Sequence, residues 1–339
     1  MSAEPSFLIV VATYKRGAKL TGLLQALRPQ VEGHPRRRMV VVNDGTHSGD
    51  YEAVMAPHLG WLEYRVLEQN RGPGLARQHG CEGATEDLII FTDDDCVPPP
   101  WWIDRAEALA RTLPTVDLFA GEACKSAPTH GGLRGVYQIC SQIRLASILA
   151  NQRVVCVPTA VMMVRRGAFE DAGGFTAEFS RLAEDTDLTH RIMSLGCALA
   201  QDPAWVTVHH SVATIGQYWR RLYGYGKGNA RHFAKQKYSD RKIPFDYYLA
   251  DWRKFYRKFF RHFPREDINS SSIGHFAFRL LRTVAERRGF KQNWPRYLEK
   301  YHTAPISPPE PGHWVAPMVI DGASSWNRSF NDWRQSQVV

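Results

Sequence analysis

The sequence is short of the features that mark several common protein classes. Its 339 residues contain no run of about 18 apolar residues, so nothing reads as a membrane-spanning helix. The longest candidate, residues 154–164, is too short and holds Pro158. No basic segment followed by an apolar one opens the chain, so no secretory leader is expected. None of the six cysteines, Cys81, Cys96, Cys124, Cys140, Cys156 and Cys197, forms a C-x-x-C pair. Zinc-ribbon and thioredoxin-like readings therefore lack support, and reduced thiols of a cytoplasmic protein are expected. The first strand is not followed by G-x-G-x-x-G, and no G-x-x-x-x-G-K-[ST] occurs, so dinucleotide-binding and P-loop readings lose their main feature. No internal repeat is present. With 44% hydrophobic and 23% charged residues, the chain can bury a sizeable core, and wholesale disorder is excluded.

The net charge of +9 is unevenly spread. Residues 217–302 carry 21 Lys and Arg against 7 Asp and Glu, with 21 of the 39 aromatic residues. The remainder is mildly acidic. A basic, aromatic region of this kind suggests an anionic partner: nucleic acid, a membrane surface or a phosphorylated substrate.

The first half alternates strand and helix patterns. A continuous apolar run at residues 7–12 suits a strand buried on both faces of a parallel sheet, with a second buried strand at 38–43 and further strands at 62–67 and 88–92. Helical spacing appears at 19–27, 74–83 and 101–111, then at 136–149 and 181–195. In the last of these, Leu188, Ile192 and Leu195 share a face and Gly196 suits the C-terminal cap. A strand-like stretch covers 154–164 and a short strand 205–209. This alternation predicts an α/β domain with a mostly parallel sheet. Ligands of such sheets bind beyond the carboxyl ends of the strands.

Polar clusters sit at those ends. Thr13, Tyr14 and Arg16 follow the first strand. They offer a hydrogen bond, a ring and a charge to a nucleotide, or simply close a strand-to-helix turn. Asn43-Asp44-Gly45 follows the second, where Asp44 could accept a pyrimidine ring N–H or make a plain Asp-Gly turn. Asn70-Arg71-Gly72-Pro73-Gly74 leads into a helix whose N-terminus suits an anion, with Arg77 adding charge. Asp93-Asp94-Asp95 ends a buried strand, where carboxylates repel one another unless a divalent cation and phosphates are held, or the run is only an acidic turn. Glu184, Asp185 and Asp187 open a helix. The helix dipole and an i,i+4 pair with Arg191 account for Asp187, whereas Glu184 and Asp185 are candidates for a general base.

From Phe7 to about Gly228 the order and spacing of these clusters resemble the family 2 glycosyltransferases. The matching residues are Ala12-Thr-Tyr-Lys-Arg16, Val42-Asn-Asp-Gly45, Asn70 with Gly74-Leu-Ala-Arg77, Thr92-Asp-Asp-Asp95, Gly173-Gly-Phe175, and Glu184-Asp-Thr-Asp-Leu188 with Arg191. The resemblance implies a GT-A fold: a Rossmann-like, mostly parallel sheet flanked by helices. It implies a nucleotide-diphosphate sugar donor, UDP-sugar being the commoner choice, with Mg²⁺ or Mn²⁺. Thr13, Tyr14, Arg16, Asp44 and Arg77 would hold the nucleotide. Asp93 would face the nucleotide-sugar, Asp94 would stand in the middle position, and Asp95 would bind metal. Asp185 maps to the catalytic base, with Glu184 beside it, for an inverting displacement by a saccharide or lipid-linked hydroxyl in cell-surface polysaccharide or glycolipid synthesis. His209 or His210 would lie near metal and diphosphate. Gln217, Arg220 and Arg221 resemble the Gln-x-x-Arg-Trp motif, with Arg221 replacing Trp, and would touch acceptor or diphosphate. That replacement argues against processive polymerisation.

Three regions are expected: a catalytic domain over 1–235, a basic aromatic helical extension over 236–302 and a Pro-rich extended tail over 303–339. Residues 251–263 and 273–288 have amphipathic helical patterns that suit either packing or an anionic membrane surface, placing the protein peripherally on the inner face of the cytoplasmic membrane. No nucleic-acid partner is expected. The alternatives are a nucleotidyltransferase of the same fold, which lacks support because its glycine-rich signature is missing, and a nucleic-acid-binding protein using the basic region.

Overall fold

The computed structural model describes residues 4–47, 49–125, 156–210, 214–235, 270–302 and 318–320. The predicted helices at 136–149 and 251–263, and most of the Pro-rich tail, lie outside them. The described residues form two compact units. One holds a nine-stranded sheet and six helices; the other holds two long helices.

The first unit begins with β1 (Phe7–Thr13), α1 (Gly17–Val31), β2 (Arg37–Asn43), α2 (Gly49–Met55) and β3 (Glu63–Val66). It continues with α3 (Pro73–Cys81), β4 (Leu88–Asp93), β5 (Cys96–Val97), α4 (Trp102–Thr112) and β6 (Leu118–Lys125). After the undescribed stretch come β7 (Met162–Arg165), α5 (Arg166–Asp171), α6 (Glu184–Ser194), β8 (Leu199–His209) and β9 (Met318–Val319). The sheet order is β3-β2-β1-β4-β7-β6-β8-β5, with β9 on β8. Strands β3, β2, β1 and β4 are parallel, and β7 is antiparallel to both its neighbours.

Alternation along β1 explains its unbroken apolar run. Phe7, Ile9 and Val11 enter a core shared with Leu23 of α1 and Trp102 of α4. Leu8 and Val10 enter the opposite core with Ala76 of α3 and with Leu188 and Ile192 of α6. Both faces are dry, so no polar alternation is tolerated. The chain runs outward from β1 through β2 to β3, then returns to place β4 on the other side of β1. That reversal opens a crevice at the carboxyl ends of β1, β2 and β4. The register aligns Thr13 with Asn43 and Ala12 with Asp93, gathering three of the predicted clusters there.

Several boundaries differ from the sequence expectation. Helix α6 starts at Glu184 rather than 181, because Ala183 takes a left-handed conformation with φ of 60°. Leu195 is 52% exposed, past the end of the helix, whereas Leu188 and Ile192 are buried. Gly196 does stop the helix, with φ of 81° and its N–H bonded to Met193. Residues 159–161 form a short 3₁₀ turn before β7. Strand β8 starts at Leu199, not 205, and residues 318–319 of the tail add a strand to the sheet.

The second unit consists of α7 (Ile215–Lys235) and α8 (Ser270–His302). Tyr218, Leu222 and Ala285 form its small apolar core. A Cβ on Gly226 would lie 1.9 Å from the Glu286 carbonyl oxygen, so the two helices touch backbone to backbone there. No described helix is long and apolar enough to cross a membrane.

Candidate active site

The end of β4 carries the first carboxylate cluster. Asp94 is buried, and its two oxygens accept from Thr13 Oγ1 at 2.8 Å and from Arg16 Nη1 at 3.1 Å. Burial pushes its carboxyl up to about 6. Thr13 also meets the Tyr51 hydroxyl, which accepts the Arg16 backbone N–H. Tyr14 is exposed beside this turn, with Lys15 Nζ over its ring.

Asp95 is arranged differently. Burial works to raise its carboxyl, but His209, Arg16 and Lys19 hold it well below the usual carboxylate range. Arg16 Nη1 lies 3.2 Å and Lys19 Nζ 3.6 Å from Oδ2. His209 Nε2 lies 3.0 Å from Oδ1 and 3.8 Å from Asp93 Oδ2. The first contact is off the hydrogen-bond line, so Asp95 Oδ1 is a buried carboxylate oxygen with no hydrogen-bond donor among the described residues. Strand pairing decides between the two histidines. Antiparallel β5 and β8 set Cys96 opposite His209, which faces the cluster. His210 is exposed, and its backbone N–H donates to the Asp95 carbonyl.

These residues fit a divalent cation. Octahedral ligands at about 2.1 Å from an ion lie about 3.0 Å from one another, which matches the Asp95–His209 separation. Ligand atoms of Asp95, Cys96 and His209 all fall within 4.8 Å of one another. Burial raises the Cys96 thiol well above its ordinary value, so it stays a poor ligand. One carboxylate and one imidazole suit Mg²⁺ or Mn²⁺.

The second cluster opens α6. Gly72 and Gly74 make it possible. A Cβ on Gly72 would lie 2.5 Å from the Ser180 carbonyl, and Gly74 N–H donates to that carbonyl at 2.9 Å. The 180 loop thus docks on the start of α3, and Glu184 and Asp185 arrive next to Arg77. Left-handed backbone at Ala183, at a cost of about 1 kcal/mol, starts the helix at that point. Gly174, also left-handed, sits where a Cβ would strike Gln78 Oε1 at 2.2 Å, and that oxygen accepts the Phe175 N–H.

Arg77 links the clusters. Its Nη2 donates to Asp93 at 2.7 Å and its Nη1 to Glu184 at 3.1 Å. Its side chain is 6% exposed, so the guanidinium expected to face a nucleotide instead lies between two carboxylates. Burial and mutual repulsion push Glu184 up to about 7, and burial also raises Asp185. Asp187 is fully buried and accepts from Arg191, as the helical spacing predicts.

Asp44 also differs from its expected orientation. Its buried carboxylate accepts from Asn70 Nδ2, Arg71 N–H and Gly72 N–H at 2.7–2.9 Å. It therefore organises the 70–72 loop. Gln217 is explained locally too: Thr214 and Gln217 exchange side-chain-to-backbone bonds at 3.2 Å, the reciprocal cap of a T-x-x-Q start. Arg220 is exposed, and Arg221 donates to the Tyr225 hydroxyl. Sequence reasoning missed Lys19 and Tyr51, which carry no motif. The T-x-x-Q pattern would have found the role of Gln217.

Comparison with known proteins points to the class of enzyme. Residues 8–173 match the family described as Glycosyl transferase family 2, and residues 137–233 match Glycosyl transferase family 21. Over residues 8–173 the chain is similar to the family 2 glycosyltransferases. Glycosyltransferase AglE of Haloferax volcanii is 23% identical over 255 residues, covering 74% of this chain and 81% of its own. The pre-mycofactocin glycosyltransferase of Mycobacterium tuberculosis is 27% identical over 217 residues, or 61% of this chain and 44% of its own. A solved mannosyltransferase from Pyrobaculum calidifontis, in complex with GDP-Man and Mn²⁺, superposes with a TM-score of 0.53 at 16% identity, covering 99% of this chain and 84% of its own. The fold of this glycosyltransferase is GT-A.

Proposed function

We propose that this glycosyltransferase moves a sugar from a nucleotide-diphosphate donor to an acceptor hydroxyl with inversion. The observation that carries the reading is the pairing of two unlike carboxylate clusters through Arg77. Asp95 stays ionised whatever the physiological pH, as a cation ligand must. Burial raises Asp185 above the ordinary carboxylate range, the direction that suits a general base. Asp95 and His209 would hold the divalent cation, which supplies positive charge to the departing diphosphate. The solved relative with GDP-Man and Mn²⁺ supports that donor class.

Arg16 and Lys19, each about half exposed at the rim, can follow the diphosphate, and Tyr14 can stack on the base. Asp93 faces the sugar. Asp185 accepts the proton of the acceptor hydroxyl while the oxygen attacks the anomeric carbon from the face opposite the diphosphate. Glu184, held by Arg77, stands beside the base, and the two carboxyls raise each other. Asp185→Asn is expected to lower sugar transfer at least about a thousandfold, with donor binding retained. Nucleotide release from UDP- and GDP-sugars with Mn²⁺ or Mg²⁺, beside calorimetric donor binding, reads both. Turnover that survives the substitution would remove Asp185 as the base.

The acceptor in this reading is a saccharide or lipid-linked hydroxyl at an anionic membrane surface. On α8, Leu280, Val284, Arg288 and Lys291 form one exposed stripe of two apolar and two basic residues. Such a stripe suits headgroup contact. Sedimentation with anionic but not neutral vesicles is the expected result, and equal recovery with both would oppose it.

A further inference from the structure

Beyond the groups assigned so far, a hydroxyl and a thiol converge on Asp185. The Asp185 Oδ1 accepts the Thr186 backbone N–H at 2.7 Å and lies 3.3 Å from Thr186 Oγ1. Thr186 Oγ1 lies 3.2 Å from Cys156 Sγ. Thr186 is 6% exposed. The segment carrying Cys156 is tied to the same helix one turn later, where Val157 N–H donates to Thr189 Oγ1 at 3.1 Å. The three groups are therefore held in one place by two separate attachments.

A hydroxyl has one proton to give and can accept in return. Thr186 cannot donate to Asp185 and Cys156 at once. When Asp185 is ionised, charge-assisted bonds are the stronger, so Thr186 donates to the carboxylate and the thiol donates to Thr186 or to the carboxylate itself. When Asp185 is protonated, the hydroxyl is free to turn to sulfur. Burial raises the Cys156 thiol well above its ordinary value, so it remains a donor at neutral pH. The other groups facing Asp185 are Glu184 beside it, Asp93 from β4 and Arg77 from α3. Glu184 and Asp93 disfavour its ionised form and Arg77 favours it.

We propose that Cys156 and Thr186 are positioning residues, a thiol–hydroxyl relay that holds the ionised Asp185 carboxylate for proton abstraction. The proposal rests on Asp185 being the base. Neither residue touches the reacting atoms. The relay works by offering a donor that strengthens as Asp185 ionises, in a pocket that otherwise resists that charge.

The test compares Thr186→Val, Thr186→Ser and Cys156→Ala in the full chain. The activity readout is the pH profile of nucleotide release from UDP-sugars and GDP-mannose with Mn²⁺. The second readout is the Asp185 carboxyl titration, followed by carbon NMR on labelled protein, which needs no substrate. Thr186→Val is expected to lower kcat about tenfold, move the acid limb to higher pH and leave Mn²⁺-dependent UDP or GDP binding unchanged. Thr186→Ser restores both rate and limb. Cys156→Ala moves the limb the same way by less.

The relay is overturned by a wild-type acid limb and carboxyl titration in Thr186→Val, or by Thr186→Ser failing as Val does. Should Thr186→Val not fold, an unshifted carboxyl titration in Cys156→Ala overturns it. Activity surviving in Asp185→Asn would instead remove the base on which the proposal rests.

Discussion

At the end of β4, Asp95 has His209, Arg16 and Lys19 around it and stays well below the ordinary carboxylate range despite burial. At the start of α6, Glu184 and Asp185 share the guanidinium of Arg77, and burial pushes both upward. Both clusters are adjacent acidic residues in sequence. Their surroundings hold one well below the ordinary carboxylate range and push the other above it. A permanent charge suits a cation ligand and a titrating one suits proton transfer. Arg77 touches both clusters, so it fixes their spacing as well as their charge.

The largest expected effect comes from removing the permanent charge. Asp95→Asn keeps the shape of the side chain and discards the charge that His209, Arg16 and Lys19 surround. Activity is expected to fall about a hundredfold or more, with loss of Mn²⁺-dependent donor binding in calorimetry. Donor binding that still responds to Mn²⁺ would place the cation elsewhere and dissolve the contrast between the clusters.

An intermediate effect is expected from Arg77→Lys. An ammonium is a point charge and cannot hold Asp93 and Glu184 in the two directions the guanidinium spans. Activity should fall about tenfold. The acid limb of the rate profile should also move to higher pH, because a carboxylate that loses a cation is harder to ionise. The sign follows from the role: a base works only when deprotonated, so activity is lost as pH falls through its raised range. An unchanged limb would mean that Arg77 does not set the charge of the α6 cluster.

The strands β1, β2 and β4 were legible because a strand buried on both faces must be apolar throughout. Their polar ends stood out for the same reason. The short β5 and β9, and β6 in the irregular middle, exist only through pairing with β7 and β8, and pairing leaves no local pattern. The site's residue types were legible and their directions were not. Asp44 and Arg77 were candidates for nucleotide contact, yet backbone donors of the 70–72 loop claim one and two carboxylates claim the other. His209 could be separated from His210 only by the register that sets it opposite Cys96. Lys19 reaches Asp95 from the first turn of α1, a position that no motif marks.

The smallest effect on chemistry is expected at Asp187, the third carboxylate of the α6 start. It lies in the same helical turn as the proposed base but is fully buried, and Arg191 Nε donates to it at 2.8 Å. Arg191 also reaches the Ala172 carbonyl, so the pair ties α6 to the end of α5. Asp187→Asn removes the charge and leaves a buried guanidinium with a weaker acceptor. A stability loss of about 1–3 kcal/mol is expected, because Arg191 keeps its carbonyl partner and some solvent. Thermal unfolding checks that figure. In the folded variant kcat should change by less than about twofold and the acid limb should stay in place. A shifted limb would show that the charge of Asp187 reaches the base, and the division of α6 into a packing carboxylate and a titrating pair would fail.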